Sequence, residues 1–377
     1  MEEWRVQTMQ NRIDSISYPC THEYNLENLE PKGHLKKRVE LIPENFFTGD
    51  NFLDIGVNKG FFSLLAQRNN MRVDAIDIIP QYVELCNDLG INTVLTSFRD
   101  FNPDKKYDRI MLGNVMHYMF RECNGYEFIS KLAAISKGLV LIEAPLGLEC
   151  SDLNGFFDKE VNYNRDLFIC EMGRFFNLVY EVNSPSPDRY IMIFDRKKTN
   201  ITQLGEIGSK KRIKSDESSR VYKSDNSIIK LLSNPTEKDE IRIVIASLSP
   251  ISNGLTSLVY DDGKFVGWTE EYNKKKILEY KERQKEVFEK VYIHNIFLAK
   301  LGYTDVDNSM INFFDDLILF DKGGVYHIQD VKKQLLEVDG NFTIMTNNSY
   351  DNIDVDRILK TLKTGDSKQI EVLYWEL

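Results

Sequence analysis

The sequence has few of the features that mark an extracellular, membrane-spanning or zinc-stabilised protein. Its five cysteines show no CxxC pair and no Cys/His ligand spacing, which argues against structural zinc and indicates a reduced protein. The longest apolar run, residues 139–148, is interrupted by Glu143 and is too short to span a bilayer. The first ten residues lack the apolar core of a secretory signal. We therefore expect a cytoplasmic protein without a transmembrane segment.

An excess of basic charge is also lacking. The chain has 48 basic and 58 acidic residues, for a net charge of -10. Such a balance argues against broad nucleic-acid binding, and we expect no nucleic-acid partner. The 377 residues, 42% hydrophobic and 28% charged, have the composition of a folded protein and suffice for two domains.

Two patterns follow one another along the chain. After a polar segment with helical stretches, residues 51–196 alternate seven apolar strand-like runs with amphipathic segments. The runs are NFLDIG, RVDAIDI, TVLTSF, YDRIMLGNV, GLVLIEA, FNLVYEV and YIMIFDR. This order predicts an α/β domain with a parallel sheet, closed by a late antiparallel hairpin. Residues 197–219 carry many charges and almost no large apolar residues, and they are predicted to be a linker. From Arg220 on, the sequence predicts a small α+β domain of short hairpins and helices. One hairpin turns at Asp-Asp-Gly (261–263) and another at Lys-Gly-Gly (322–324), and helices are predicted at 273–301 and near 354–364. The predicted boundaries are 1–196, 197–219 and 220–377.

A glycine-rich turn gives the strongest local signal. In residues 52–67 (FLDIGVNKGFFSLLAQ), an apolar strand ends at Asp54, and Gly56, Asn58 and Gly60 follow before a helix. Cofactor-binding sheets need glycine here because the chain turns sharply while its backbone approaches the ligand. Asn58 also tolerates turn geometry. The D-x-G-x-x-x-G spacing differs from the dinucleotide form and favours a nucleoside–amino acid ligand over a pyrophosphate.

Two further signals follow in order. Asp77 ends the next predicted strand, about 20 residues after the turn, where a carboxylate can accept hydrogen bonds from ribose hydroxyls. The strand in YDRIMLGNVMHYMF, residues 107–120, then runs into a polar loop at the carboxyl edge of the sheet, where such folds bind ligands. A dinucleotide-binding fold is the weaker alternative.

Together these motifs resemble class I S-adenosylmethionine-dependent methyltransferases, with a Rossmann-like fold. The resemblance implies S-adenosyl-L-methionine as the cofactor. It also implies that the Asp54 turn faces the methionine part and that Asp77 holds the ribose. Ser97, in the SFRD segment 97–100, would lie beside the adenine.

Two residues are candidates for binding the group that accepts the methyl. The polar loop GNVMHYMF, at the end of the 107–120 segment, has no Asn/Asp-Pro-Pro-Tyr motif, and His117 stands in that loop instead. His117 could act as a base or donate a hydrogen bond to an anion, or it could simply pack against the cofactor at a helix start. Arg189, at the beginning of a late strand, could hold a phosphate bidentately, or it could be a surface residue of a hairpin.

The second half carries charged residues in the order of a kinase. Lys230 lies within an apolar strand, and Glu240 lies in the helical stretch that follows. Asp307 and Asn312 have the spacing of a catalytic-loop Asp and a metal-binding Asn, and Asp330 then follows a hairpin. Three kinase signatures are missing: the glycine-rich loop before Lys230, the His-Arg-Asp triplet and the Asp-Phe-Gly triplet. A pseudokinase therefore remains an alternative.

A methyltransferase followed by a kinase-like domain resembles the bifunctional family that terminates bacterial O-antigen polysaccharides. The likeness lies in patches: KRVELI (37–42), DIGVNKGFFSL (54–64), GNVMHYM (113–119), SPDRYIMIF (186–194) and GYTDVDNSMIN (302–312) before HIQDV. The resemblance implies that the kinase phosphorylates a terminal sugar with ATP and Mg²⁺ and that the methyltransferase caps this phosphate.

The same resemblance implies roles for the candidate residues. Asp307 would activate the sugar hydroxyl, and Asn312 and Asp330 would hold the metal. Lys230, paired with Glu240, would hold ATP phosphates. His117 and Arg189 would hold the phosphate that is methylated.

The implied partners are a glycan or sugar-phosphate acceptor and a glycosyltransferase, through which the protein would be peripheral to the inner membrane. Two alternatives stay open. One is a methyltransferase of a small molecule or glycan with a non-catalytic, partner-binding second domain. The other is an RNA or protein methyltransferase.

Overall fold

The structure is a computed structural model. It describes residues 3–16, 22–119, 125–146, 165–187, 189–198, 200–207, 211–215, 219–224, 227–249, 252, 257–271, 294, 297–298, 301, 303–305 and 325–327. The chain divides into two compact units. The first comprises residues 1–101 and 106–197, and the second comprises residues 102–105 and 198–377.

The first unit begins with a segment that precedes the main sheet. Its elements are α1 (Glu3–Ser15), the short paired strands β1 (Tyr24–Asn25) and β2 (Glu30–Pro31), α2 (Gly33–Glu40) and a 3₁₀ helix (Glu44–Phe47). Leu35 on α2 and the aromatic pair Phe46 and Phe47 are buried, so this segment shares in the core of the unit.

A seven-stranded sheet forms the centre of the first unit. Its strands are β3 (Asn51–Ile55), β4 (Arg72–Asp77), β5 (Asn92–Leu95), β6 (Tyr107–Gly113), β7 (Ser136–Pro145), β8 (Phe176–Asn183) and β9 (Arg189–Arg196). They lie in the order β5-β4-β3-β6-β7-β9-β8. The first five strands are parallel, and β9 is antiparallel to both β7 and β8. The predicted α/β, Rossmann-like class is confirmed, including the late antiparallel hairpin.

Helices connect the parallel strands. They are α3 (Phe61–Arg68), α4 (Pro80–Asp88), α5 (Met116–Met119) and α6 (Gly125–Ile135), with α7 (Arg165–Met172) before the hairpin. Pro80 occupies the first turn of α4, where its missing N–H costs nothing. The central strand β3 is buried at all five positions, which explains why it is a nearly continuous apolar run.

The second unit contains a six-stranded sheet. Its elements are β10 (Ile201–Gln203), a 3₁₀ helix (Leu204–Glu206), β11 (Lys211–Ser215), β12 (Ser219–Ser224), β13 (Ser227–Leu232), α8 (Glu237–Ser247), β14 (Ser257–Asp261) and β15 (Lys264–Glu271). The strand order is β10-β14-β15-β13-β12-β11, antiparallel except for the β10–β14 pair. A separate antiparallel pair joins β16 (Tyr303–Asp305) and β17 (Val325–His327).

Local signals in the sequence account for these elements. Thr236 caps α8, because its hydroxyl accepts from the Asp239 N–H and the Asp239 carboxylate accepts from the Thr236 N–H. Asp262 and Gly263 both have positive φ, the conformation that the predicted Asp-Gly hairpin turn between β14 and β15 requires.

The structure differs from the sequence analysis in residues 197–219. Strands β10 and β11 lie within this predicted linker and form the two edges of the second sheet. An edge strand is held by backbone hydrogen bonds and tolerates charged side chains, so low apolar content did not exclude strands here.

Much of the second half falls outside the described residues. This applies to most of the predicted helix at 273–301, to the turn at 322–324 and to the helix predicted near 354–364. Among the helices that the structure describes, none has the length and apolar character needed to cross a membrane.

Candidate functional site

The predicted glycine turn lies at the carboxyl end of β3. Gly56 and Gly60 have φ values of +79° and +81°, and Asn58 between them also has positive φ. A Cβ atom on Gly56 would lie 2.4 Å from Val115 Cγ1, and one on Gly60 would lie 2.7 Å from Ile91 Cδ1. Glycine is therefore required at both positions by conformation and by space.

Asp77, at the end of β4, is joined to this turn. Its Oδ2 accepts a hydrogen bond from the Asn58 N–H at 3.1 Å, and its Oδ1 accepts one from the Ile79 N–H at 2.9 Å. The side chain is buried, and burial raises the pKa of the carboxyl group. A carboxylate has about four lone-pair sites, so Asp77 can accept a hydrogen bond from a ligand besides those from the backbone.

Asp54 is buried directly below the turn. Ser63 on α3 donates a hydrogen bond of 2.8 Å to its Oδ2. Burial raises the pKa of Asp54 to about 7, against the opposing effect of the Ser63 hydrogen bond. A carboxyl group with this pKa titrates near neutral pH.

The loop after β5 lies at the same edge of the sheet. Its start is fixed by the hydrogen bond from the Thr96 N–H to the Asp77 carbonyl, and the half-buried Ser97 hydroxyl accepts from the Asp100 N–H at 3.2 Å. Ile78, directly after Asp77, is 62% exposed. An exposed apolar side chain between Asp77 and Ser97 offers a surface for a purine ring.

His117 and Arg189, the two residues predicted to bind the methyl acceptor, both lie at the carboxyl edge of the parallel strands. His117 belongs to α5, which follows β6 after Asn114 at φ +62°, and its side chain falls outside the described residues. Arg189 begins β9, opposite Pro145 at the end of β7. The structure thus brings Arg189, the backbone of His117 and the glycine turn to one edge of one sheet.

A buried polar network at this edge was missed by the sequence analysis. Arg38 on α2 forms an ion pair with Glu143 on β7, and both side chains are almost fully buried. Ser184 donates a 2.5 Å hydrogen bond to Glu143 Oε1. The Arg38 guanidinium also lies over the Phe62 ring, 5.5 Å from its centroid, and lies 3.1 Å from where a Cβ on Gly113 would be.

Two histidines extend this network. His22 Nε2 lies 3.0 Å from Arg38 Nη1, and His34 Nε2 lies 3.1 Å from Ser186 Oγ. Burial, with Arg38 and Lys59 nearby, holds the pKa of His22 well below its usual value, so the ring is neutral. Because Arg38 can only donate, His22 Nε2 is the acceptor.

One signal for this network was present in the sequence. Glu143 interrupts a buried apolar strand, and a buried carboxylate requires a charged or hydrogen-bonding partner. The partner, Arg38, is 105 positions away in the chain, and only the fold brings the two together.

In the second unit, Lys230 and Glu240 both lie in described elements. Lys230 is on β13, opposite Trp268 on β15, and its ammonium lies 5.4 Å from the centroid of the Trp268 ring. Glu240 is buried on α8. Burial and the hydrogen bond to the Glu240 carboxylate raise the pKa of the Tyr260 phenol.

The other three kinase candidates, Asp307, Asn312 and Asp330, fall outside the described residues. Among the residues that are described, no cluster of three or more His, Cys, Asp or Glu side chains is placed to hold a metal ion.

S-adenosylmethionine fits the residues at the end of β3 and β4. The two glycines let the backbone approach a ligand, and Asp77 has lone pairs available for ribose hydroxyls. The strand order β5-β4-β3-β6 places the Ser97 loop, Asp77 and the glycine turn in a row along one edge. An extended nucleoside–amino acid ligand has the shape to lie along such a row.

Comparison with known protein families gives no match, and comparison with curated proteins gives none. Among solved structures, the bifunctional kinase-methyltransferase WbdD is similar at 14% identity, over 85% of this chain and 84% of that chain, with a TM-score of 0.33. The N-methyltransferase NodS from Bradyrhizobium japonicum WM9, in complex with S-adenosyl-L-homocysteine, is similar at 16% identity. It covers 52% of this chain and 99% of its own, with a TM-score of 0.38.

The magnesium protoporphyrin IX methyltransferase ChlM from Synechocystis PCC 6803, with bound S-adenosylmethionine, is similar at 13% identity. The match covers 52% of this chain and 83% of that chain, with a TM-score of 0.34. Likenesses of this size transfer neither an activity nor a site residue to this chain, so its function must be argued from its own geometry.

Proposed function

We propose that the first unit binds S-adenosyl-L-methionine and transfers its methyl group. The observation that carries this proposal is the hydrogen bond from Asn58 in the glycine turn to Asp77 on the next strand, which fixes both motifs at one sheet edge. When bound, S-adenosylmethionine supplies an electrophilic methyl group on its sulfonium. The role of the chain is to hold the donor and align an acceptor.

Each predicted residue has a part in this donor site. Gly56, Asn58 and Gly60 shape the turn, and Asp77 accepts from the ribose. Ser97 and the exposed Ile78 lie where the adenine would be held. The buried Asp54 supports the turn from below through Ser63.

The acceptor that we propose is a phosphate on the terminal sugar of a glycan. Arg189 would grip the phosphate and His117 would donate a hydrogen bond to it, both from the edge of the sheet where the donor lies. A phosphate oxygen is already anionic, so methyl transfer to it requires alignment more than base catalysis. The buried Arg38–Glu143 pair would keep the surrounding backbone rigid.

The second unit would supply this phosphate as a kinase. Its three consecutive strands β11–β13, with Lys230 on the third, are followed by a helix with Glu240 and then by a hairpin. Protein kinases have a lysine on the third strand and a glutamate on the next helix. Asp307 would act on the sugar hydroxyl, and Asn312 and Asp330 would hold Mg²⁺ for ATP. The product would be a methyl-phosphate cap that ends a surface polysaccharide, made in the cytoplasm beside a glycosyltransferase at the inner membrane.

A second candidate function is a methyltransferase with a non-catalytic kinase-like unit. The cation–π contact of Lys230 with Trp268 favours it, because this contact gives the lysine a structural purpose without ATP.

Calorimetric titration separates the two candidates. With S-adenosylhomocysteine as the first ligand and ATP with Mg²⁺ as the second, the bifunctional enzyme binds both, and Asp330→Ala loses only the nucleotide. Binding of S-adenosylhomocysteine alone would establish the second candidate, and binding of neither would overturn both.

Methyl transfer tests the acceptor. Arg189→Ala should lose transfer to a phosphorylated glycan while keeping its affinity for S-adenosylhomocysteine. Full activity of this variant would remove Arg189 from the acceptor site.

A further inference from the structure

The connection between β8 and β9 fixes the backbone of Arg189. The Ser184 N–H donates a 2.9 Å hydrogen bond to the Arg189 carbonyl, which brings the two ends of the connection together. The Ser184 hydroxyl also accepts from the Ser186 N–H at 3.1 Å. Pro185 and Pro187 fix two further φ angles. The backbone that leads into Arg189 therefore has little conformational freedom.

Side chains from two other elements hold this connection. Glu143 on β7 accepts a 2.5 Å hydrogen bond from the Ser184 hydroxyl, and the Ser186 hydroxyl shares a 3.1 Å hydrogen bond with His34 Nε2 on α2. His34 and Arg38 are four residues apart on α2 and share one face of the helix, and Arg38 pairs with Glu143. Helix α2 is thus attached to the connection twice, directly through His34 and indirectly through the ion pair.

These attachments are not those that stability alone would favour. His34 Nδ1 is buried and has no hydrogen-bond partner among the residues that the structure describes, which opposes folding. Glu143 places a carboxylate in a buried strand, and its ion pair with Arg38 is weak evidence for stability because both groups lose their hydration. Departures of this kind from the rules of stable packing are expected beside functional sites.

A different bond joins α2 to the same hairpin away from Arg189. The Tyr180 hydroxyl on β8 donates a 2.7 Å hydrogen bond to the carbonyl of Leu41, the residue that follows α2. Tyr180 is paired with Ile193 in the middle of the hairpin, four residues before Ser184. The helix is therefore anchored to the hairpin independently of His34, and the His34–Ser186 bond acts on the connection itself.

We propose that His34 is a positioning residue for the methyl acceptor, which holds Arg189 through Ser186 in the orientation that binds the acceptor phosphate. This rests on the proposed phosphate acceptor. Without the His34–Ser186 bond, the connection would adopt more conformations, and Arg189 would be correctly placed for a smaller fraction of the time. The apparent affinity for the phosphate falls in proportion to that fraction.

The test uses inorganic phosphate as the probe of the Arg189 site. It is titrated into the full-length protein saturated with S-adenosylhomocysteine, and binding is followed by phosphorus NMR. The part of the binding that Arg189→Ala removes is the signal. We expect His34→Leu and Ser186→Ala each to weaken it about 3- to 10-fold, the usual loss for one hydrogen bond, with S-adenosylhomocysteine affinity unchanged within about twofold.

Three further variants separate positioning from a general structural effect. The double variant His34→Leu/Ser186→Ala should lose no more than either single variant, because both remove the same bond. His34→Gln, whose amide can reach the position of Nε2, should regain most of the affinity. Tyr180→Phe is the matched control, since it removes one hydroxyl bond between the same helix and hairpin, and its phosphate affinity should equal that of wild type.

Several outcomes would overturn the proposal. Unchanged phosphate affinity in His34→Leu and Ser186→Ala would leave the acceptor site standing but exclude the positioning role, as would additive losses in the double variant or an equal loss in Tyr180→Phe. Should His34→Leu fail to fold, Ser186→Ala removes the same bond from the other side and decides alone. A wild type that binds S-adenosylhomocysteine but no phosphate would overturn the proposed phosphate acceptor itself, and this inference with it.

Discussion

The two units hold their buried and half-buried charged residues in different ways. In the second unit, Lys230 lies against an aromatic ring of its own sheet, and Glu240 accepts from Tyr260, so each has a contact that stabilises the fold. In the first unit, Arg38 and Glu143 form an ion pair between almost fully buried side chains, and the carboxyl group of Asp54 has a raised pKa in spite of its hydrogen bond from Ser63. Among these contacts, the charged residues of the second unit meet aromatic side chains, whereas those of the first unit meet an opposite charge or a hydroxyl group.

Removing one member of the buried ion pair in the first unit should have the largest effect. Arg38→Met leaves Glu143 charged and buried without its partner, which should lower the free energy of unfolding by about 3–5 kcal/mol. Urea unfolding measures this loss. Arg12→Met is the matched control, because the Arg12–Asp88 pair is largely exposed and should contribute no more than about 1 kcal/mol. Equal losses for the two variants would mean that the buried pair does not anchor the sheet edge.

The raised pKa of Asp54 should make stability depend on pH. The pKa of Asp54 is about 7 in the folded state and 3.8 for an ordinary aspartate, so the folded state binds the proton more tightly. This contribution to stability is therefore fully present below about pH 4 and is lost as the pH rises through 7. A shift of this size corresponds to a loss on the order of 4 kcal/mol at most.

Asp54→Asn should remove this dependence. The stability of the variant relative to wild type should rise between pH 4.5 and pH 8 in urea unfolding. His22, whose pKa is lowered, favours the folded state as the pH rises through 6.5, but it does so in both proteins and cancels in the difference. Asp195→Asn, at an exposed position on β9, provides the control. Parallel pH profiles for wild type and Asp54→Asn would contradict the assignment.

Asp77 should affect binding more than stability. Asp77→Asn keeps the size of the side chain but weakens its capacity to accept from two ribose hydroxyls and from the Asn58 N–H. We expect S-adenosylhomocysteine binding to weaken by about 1–3 kcal/mol. Calorimetry measures the affinity, and a melting temperature close to that of wild type would show that the turn survives. An unchanged affinity would exclude the ribose role.

The sequence predicted those parts of the first unit that depend on local pattern. All seven strands were recognised because each is a short apolar run. The turn was recognised because glycine and asparagine are the residues that most readily adopt the positive φ found at Gly56, Asn58 and Gly60. The Arg38–Glu143 pair and its histidines could not be predicted, because long-range pairing follows from the fold and not from spacing. Strands β10 and β11 were missed for a related reason, since edge strands need little apolar character.

A small change in stability should come from Lys230, the residue at which the two candidate functions differ most. Lys230→Met loses the cation–π contact with Trp268 but still packs against the ring, so we expect a loss of only about 0.5–1 kcal/mol in the free energy of unfolding. Lys264→Met, exposed on β15 of the same sheet, should lose less. If the second unit is a kinase, Lys230→Met should also weaken Mg²⁺-dependent ATP binding at least tenfold, because the lysine contacts the phosphates. If wild type and Lys230→Met bind ATP with the same affinity, Lys230 serves the fold alone. The two units would then differ in ligand binding as well as in the contacts of their charged residues.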